Sequence, residues 1–319
     1  MAEYPELGRA IEESVRKCCT NKEVGVAFSG GMDSGLLAAL ASKYARSVTC
    51  YTCGTDNAFD IAAGKELAEK LGLPWVQCRI SEENIESTIR EMIIASKVSD
   101  PFTITYDLQL FTVCREAKEP VILSGQGSDE LLNGTNSIVT DDDAEYERLR
   151  EWGMERLMKV SVPCETTIAR YYKKKLFYPY LDQAVIDAVD ALDADLIRPK
   201  TVDERKAVLR QTATELGFPV ISNRVKKASQ YGSNTTELIR KMARKKGVRY
   251  NRYISNIYES LGLRNANRLR DAAVDVRMDP ILLYDADQIL EKEGLTHSEA
   301  LTALYKKMLK EGNLDFLNE

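Results

Sequence analysis

Val24-Gly25-Val26-Ala27-Phe28-Ser29-Gly30-Gly31-Met32-Asp33-Ser34-Gly35-Leu36-Leu37 is the stretch that decides the fold. Its apolar opening, Val24 to Phe28, reads as a strand, and an alanine- and leucine-rich helical pattern starts near Gly35. Between them lies Ser29-Gly30-Gly31-Met32-Asp33-Ser34. A strand, a tight glycine turn and a helix N-terminus gather backbone N–H groups and the positive end of a helix dipole around one point. Gly30 and Gly31 let the backbone turn sharply and come close to an anion. Ser29 and Ser34 add hydroxyl donors, and Asp33 can hold a divalent cation. The expectation is a phosphate cradle rather than a plain serine-glycine turn with an N-cap.

Outward from this stretch, the N-terminal half alternates as a parallel sheet demands. Helical periodicity over 4–19 puts Leu7, Ile11, Val15 and Cys18 on one stripe. Strands are expected at 24–28, 47–53, 75–80 and 120–124. Helices are expected near 34–45, 58–71, 81–97 and 104–118. From about residue 143 the strand signals vanish. Segments 143–160, 182–191, 203–216, 234–246 and the tail are helical in pattern, punctuated by Pro163, Pro179, Pro199, Gly217-Phe218-Pro219 and Gly247. The fold class expected is α/β, a parallel β-sheet flanked by helices with a mostly helical C-terminal half. Residues 1–246 form the nucleotide-binding domain of this reading, and 247–319 a helical extension. In such repeats ligands bind at the carboxyl ends of the strands, where the cradle sits.

Bulk properties narrow the classes. The 319 residues are 44% hydrophobic and 29% charged, an ordinary globular composition. A net charge of −5 exerts no global pull on nucleic acid or anionic membrane. No apolar run approaches the roughly 18–20 residues of a membrane span. The start, Met-Ala-Glu-Tyr-Pro-Glu, lacks the features of a signal peptide. A cytoplasmic protein with no membrane partner is expected, its oligomeric state open to a homo-oligomer. Seven cysteines, an odd number in mostly apolar contexts, read as reduced core thiols. Cys50-Tyr51-Thr52-Cys53 has metal spacing, but at a strand end positions three apart point to opposite faces. No second pair or nearby histidine completes a zinc set. His297, the single histidine, lies in a capping-type segment, so a histidine base is not expected.

A second glycine-rich turn, Ser124-Gly125-Gln126-Gly127-Ser128-Asp129-Glu130, follows the last expected strand. Asp33 and Asp129 would each hang at a strand end, on turns able to face one another. Two hard carboxylates plus phosphate oxygens suit Mg²⁺ riding on a nucleotide. Asp129 could instead cap a helix, and one residue can do both.

The Walker A loop and the Gly-x-Gly-x-x-Gly fingerprint are both missing, whereas Ser-Gly-Gly-x-Asp-Ser resembles the PP-loop of ATP pyrophosphatases. More specifically, the chain resembles the synthetase domain of the asparagine synthetases, a family that includes the β-lactam synthetases. That family runs Ser-Gly-Gly-x-Asp-Ser, Ser-Gly-Glu-Gly-Ser-Asp-Glu, Pro-Phe-Leu-Asp, a Lys-x-x-Leu-Arg helix and an Arg-x-Lys turn. This chain matches in order with Ser29–Ser34, Ser124–Glu130, Tyr178-Pro179-Tyr180-Leu181-Asp182, Lys206-Ala207-Val208-Leu209-Arg210 and Arg224-Val225-Lys226.

The resemblance implies that a carboxylate, aspartate in the family, attacks the α-phosphorus of Mg²⁺-ATP. Pyrophosphate leaves, and ammonia displaces AMP to form an amide. Ser29, Gly30, Gly31, Asp33 and Ser34, with Ser124, Gly125 and Gly127, would hold the nucleotide. Asp33 and Asp129 would bind Mg²⁺, while Lys206 and Lys226 would neutralise charge on the phosphates. Gln126 stands where the family has glutamate. A glutamine can only hydrogen-bond, whereas a carboxylate can take a proton from an amine. It marks an altered amine step or carboxylate substrate. Glutamine-dependent relatives begin with a cysteine and a glutaminase domain. Here residue 2 is Ala2 and the cradle starts at Ser29, so free ammonia, a separate glutaminase or another nucleophile is expected. Two alternatives stay open. One is a tRNA-thiolating or lysidine-forming PP-loop enzyme using the basic run Arg240-Lys241-Met242-Ala243-Arg244-Lys245-Lys246. The other is a non-catalytic nucleotide-binding regulator.

Overall fold

A computed structural model describes residues 4–222, 224, 229–262 and 279–311. Five parallel strands form one sheet: β1 (Glu23–Ala27), β2 (Ser47–Gly54), β3 (Trp75–Arg79), β4 (Val121–Leu123) and β5 (Lys175–Phe177). Their order is β3-β2-β1-β4-β5. From β1 the chain works outward to β3, then returns to the other side of β1, where Val26 pairs with both Cys50 and Leu123. The order therefore reverses between β1 and β4, and their carboxyl ends open a crevice.

Strand alternation sorts the core into two layers. Val24, Val26, Cys50, Val121 and Leu123 join one cluster with the helices Pro5–Cys19, Met32–Tyr44 and Ala207–Glu215. Tyr51, Cys53, Cys78 and Ile122 join the other, with Ile85–Ser96, Pro101–Glu116, Val162–Tyr171 and Thr235–Lys245. Helix Met32–Tyr44 is buried from Met32 to Ala41, which explains its unbroken run of small and apolar residues. On the first helix the buried stripe is Leu7, Ile11, Val15 and Cys19; Cys18 is only half-buried.

The expected α/β class holds, with two corrections in the C-terminal half. Strand β5 lies beyond residue 143, where none was expected. It is three residues long and only half-buried, too short to show alternation, and its partner β4 supplies the pairing. Lys174 fixes its start by donating from Nζ to the carbonyls of Ala117 at 2.6 Å and Glu119 at 2.9 Å. Nor does Pro163 end its helix. The chain runs from Asp143–Arg156 through one π turn, Leu157–Ser161, into Val162–Tyr171.

The chain divides into two compact units, Met1–Ala266 and Asn267–Glu319. Helix Tyr250–Ser260, beyond the expected boundary at 246, packs within the first through Tyr253, Ile254 and Ile257. The described part of the second is a helix pair, Pro280–Glu293 and His297–Glu311. A capping box between Thr296 and Glu299 starts its second helix, and His297 contacts Asp287. No helix among the described residues is long and apolar enough to cross a membrane.

Candidate active site

The turn after β1 is wedged against the start of helix Phe59–Leu71. Gly30 has φ +72, and a Cβ there would lie 2.3 Å from the carbonyl carbon of Ala63. Only glycine fits both conditions. Inside the turn, the Ser29 N–H donates to Ser34 Oγ at 3.2 Å and the Gly31 N–H to Ser29 Oγ at 3.3 Å. Two downstream arginines brace it. Arg224 donates from Nε to the Gly30 carbonyl at 3.1 Å and from Nη2 to the Ala63 carbonyl at 2.9 Å. Arg210 in turn donates to the carbonyls of Ser222 at 2.6 Å and Arg224 at 3.3 Å.

The turn after β4 packs directly on the first. A Cβ on Gly125 would sit 3.3 Å from both the Asp33 Cβ and the Ser34 nitrogen, so the small residue permits the approach. Ser124 donates its N–H to the Phe177 carbonyl, and the Tyr180 hydroxyl donates to the Asp33 carbonyl, each at 3.0 Å. Lys206, at φ +57 just ahead of its helix, closes the arrangement. Its buried Nζ lies 2.5 Å from Asp33 Oδ1, 2.6 Å from Asp129 Oδ1 and 3.0 Å from Ser128 Oγ. The structure thus brings Ser29–Ser34, Ser124, Gly125, Gly127, Asp129 and Lys206 together. Carboxylate oxygens are hard donors of the kind Mg²⁺ takes, so the chemistry of the pair suits that ion, while the point at which they converge is held by the Lys206 ammonium. Lys226 lies outside the described residues.

A cleft of about 300 Å³ runs along these turns. One end is lined by Tyr51, Thr52 and Cys53 at the end of β2, with Ser29, Asp33 and Ser34. Gln126 also lines it, its Nε2 donating to the Tyr106 hydroxyl at 3.2 Å. Trp152, Arg156, Ser161 and Glu165 form further wall. Beneath, burial pushes the Asp107 carboxyl up to about 7, with Cys164 and Arg156 pulling the other way. Burial, then the neighbouring Asp107, raises Glu165 well above the ordinary carboxylate range. The sequence did not single out Trp152, Arg156, Asp107 or Glu165. For Trp152, Arg156 and Glu165 the only trace is a spacing of four, five and four along 152, 156, 161 and 165, which no single helical period predicts.

Other residues read as structure. Cys50 and Cys53 fall on opposite faces of the sheet, and burial pushes each thiol up to about 12. In the basic helix, Lys241 and Lys245 both pair with Glu82 and Arg244 with Glu237, while Leu238, Ile239 and Ala243 are buried.

The family model described as asparagine synthase matches residues 6–177. A protein of Methanocaldococcus jannaschii named as a glutamine-hydrolysing asparagine synthetase is 30% identical over 76% of this chain and 51% of its own length. A glutamine-hydrolysing asparagine synthetase of Arabidopsis thaliana is 25% identical, covering 69% of this chain and 40% of that protein. The chain therefore spans about half the length, or less, of these relatives. Among solved structures, the NMN synthetase of Francisella tularensis aligns with 86% of this chain and 99% of its own. Its identity is 13% and its TM-score 0.38.

Lys206→Met removes the buried cation that contacts both Asp33 and Asp129. Chemical denaturation should show a loss of about 3–5 kcal/mol, the scale of a broken buried pair. A loss below about 1 kcal/mol, typical of exposed pairs, would contradict this geometry. A second prediction concerns Asp107, whose carboxyl rises from 3.8 to about 7 on folding. The native state holds its proton more tightly, so its stabilising contribution is complete below about pH 4 and lost as pH rises to about 7. In Asp107→Asn, the melting temperature relative to wild type should climb between about pH 5 and pH 8. A flat difference across that range refutes the assignment.

Proposed function

The chain belongs to the asparagine synthase family, and we propose that it is an ATP-dependent ligase that adenylates a carboxylate and passes it to ammonia as an amide. The acceptor is L-aspartate, and the ammonia is free or delivered by a separate glutaminase. One observation carries this reading: Asp33 and Asp129, from turns at adjacent strand ends, both contact the Lys206 ammonium. An adenylating site needs positive charge and hard oxygen donors at one place, because negative charge accumulates on the departing pyrophosphate.

In this reading the Ser29–Ser34 turn cradles the phosphates with backbone N–H groups and the hydroxyls of Ser29 and Ser34. Ser124, Gly125 and Gly127 form its opposite wall. Asp33 and Asp129 would hold Mg²⁺, which screens phosphate charge when bound. Lys206 stays within reach of the same oxygens and neutralises charge as the α–β bond breaks, and Lys226 is assigned the same task. The cleft walls exclude bulk water from the acyl-adenylate. Gln126 hydrogen-bonds to Tyr106 and can orient an incoming amine but cannot take its proton. The amine step therefore uses another proton acceptor than in relatives with glutamate.

The paired basic helix and the two-faced cysteines give no support to the tRNA-modifying reading. Incubation with ATP, Mg²⁺, L-aspartate and ammonium should yield AMP, pyrophosphate and asparagine in equal amounts, followed by chromatography. Absence of AMP with every carboxylate offered would overturn the ligase reading in favour of a nucleotide-binding regulator. Gln126→Glu should shift the pH dependence of amide formation more than that of pyrophosphate release. Identical shifts in both steps would remove Gln126 from the amine step.

A further inference from the structure

The second unit, Asn267–Glu319, lies wholly beyond residue 177, where the family match ends. Its helices Pro280–Glu293 and His297–Glu311 are 14 and 15 residues long, and Gly294 at φ +67 caps the first of them. None of the described side chains in this pair is buried. Leu282 is 58% and Ile289 64% exposed, and Leu283, Leu295 and Tyr305 are exposed as well. Units below about 70–80 residues seldom hold together on one core, and draw on a disulfide, a metal or association. The last cysteine of the chain is Cys164, and no cluster of metal ligands lies among the described residues. Association remains.

The apolar residues are patterned for it. Leu282, Ala286 and Ile289 follow at steps of four and three, and Leu301, Leu304 and Met308 at steps of three and four. Such steps keep side chains on one stripe, the arrangement by which the helices of a bundle interdigitate. The stripe of the second helix is half-buried, whereas that of the first stands open at Leu282 and Ile289.

Charge says what covers it. The first helix sets Asp285, Asp287, Glu291 and Glu293 against Lys292 and is net acidic. The second sets Lys306, Lys307 and Lys310 against Glu299 and Glu311 and is net basic. A partner of uniform charge would be drawn to one helix and repelled by the other. A second copy of the same pair, turned by a two-fold axis, places a basic helix on each side of every acidic one. Neighbouring helices in a bundle lie about 8–10 Å apart, comparable to the screening length of about 8 Å at physiological salt, so the pairing is felt.

We propose that this unit is a self-association module, in which the open face of the helix pair docks on the same face of a second copy of this chain. The product is a four-helix bundle with Leu282 and Ile289 in its core. The contact uses one patch on both copies, so it closes at a dimer and leaves no face for further growth.

The test is sedimentation velocity of the full chain over a series of dilutions. Wild type should sediment as a dimer, with monomer appearing only on dilution. Leu282→Glu with Ile289→Glu brings carboxylates from both copies into the shared core and should leave only monomer. Its main thermal transition, that of the first unit, should stay at the wild-type temperature. Carboxylates also burden the helix pair itself, so Leu282→Ala with Ile289→Ala supplies a gentler comparison. Helical content by circular dichroism should be kept, while the dimer dissociation constant rises about tenfold or more, the scale of one buried aliphatic side chain. Lys306→Glu with Lys310→Glu, which leaves both helices acidic, should weaken the dimer more at low salt than at high salt. A monomeric wild type overturns the proposal, whether the face is then covered by the rest of the chain or by another protein. A dimer that keeps its affinity in the alanine variant forms through another surface, and that too overturns it. Indifference to the lysine substitutions would refute the pairing of acidic with basic helices on which the choice of a second copy rests.

Discussion

The ammonium group of Lys206 ties together two turns that each carry a carboxylate. Asp33 and Asp129 belong to loops after different strands, and each brings a carboxylate to a site largely shielded from water. At reduced dielectric their mutual repulsion grows, and so does the attraction of each for a cation between them. The remaining architecture serves that convergence. Pairing of β4 beside β1 brings the loops to one crevice, and the bare backbone of Gly125 lets them touch. The left-handed conformation of Lys206 aims its side chain inward from the end of its helix.

Much of this was legible in the chain because it is local. A strand, a glycine turn and a helix start are adjacent in sequence, so Ser29–Ser34 and Ser124–Glu130 announce themselves. The sheet's alternation with helices does too. What stayed hidden depends on partners far along the chain. Strand β5 has three residues and no pattern of its own; only β4 makes it a strand. Arg210 and Arg224 look like members of motifs, yet their work is done on backbone carbonyls that no pattern of side chains reveals.

The wall of Arg156 and Glu165 was hidden for a different reason. Proline ordinarily marks the end of a helix, and Pro163 invites that reading. The helix instead continues with one widened turn, which moves the face by one residue. A periodicity analysis assuming a single step length divides Trp152, Arg156, Ser161 and Glu165 between two faces. π turns are often found at functional positions, and this one sits beside a cleft that Ser29, Asp33 and Ser34 also line.

The bond from Arg224 to Gly30 spans 194 positions. Contacts of such separation form late in folding, after the entropy of closing the intervening loop is overcome. During synthesis the Ser29–Ser34 turn therefore emerges long before the residue that fixes its carbonyl. A fragment cut after residue 177, where the family match ends, would keep both glycine turns and the whole sheet. It would lose Lys206, Arg210 and Arg224, and with them the counter-charge and the brace. Recognisable sequence and a self-sufficient pair of glycine turns thus have different boundaries in this chain.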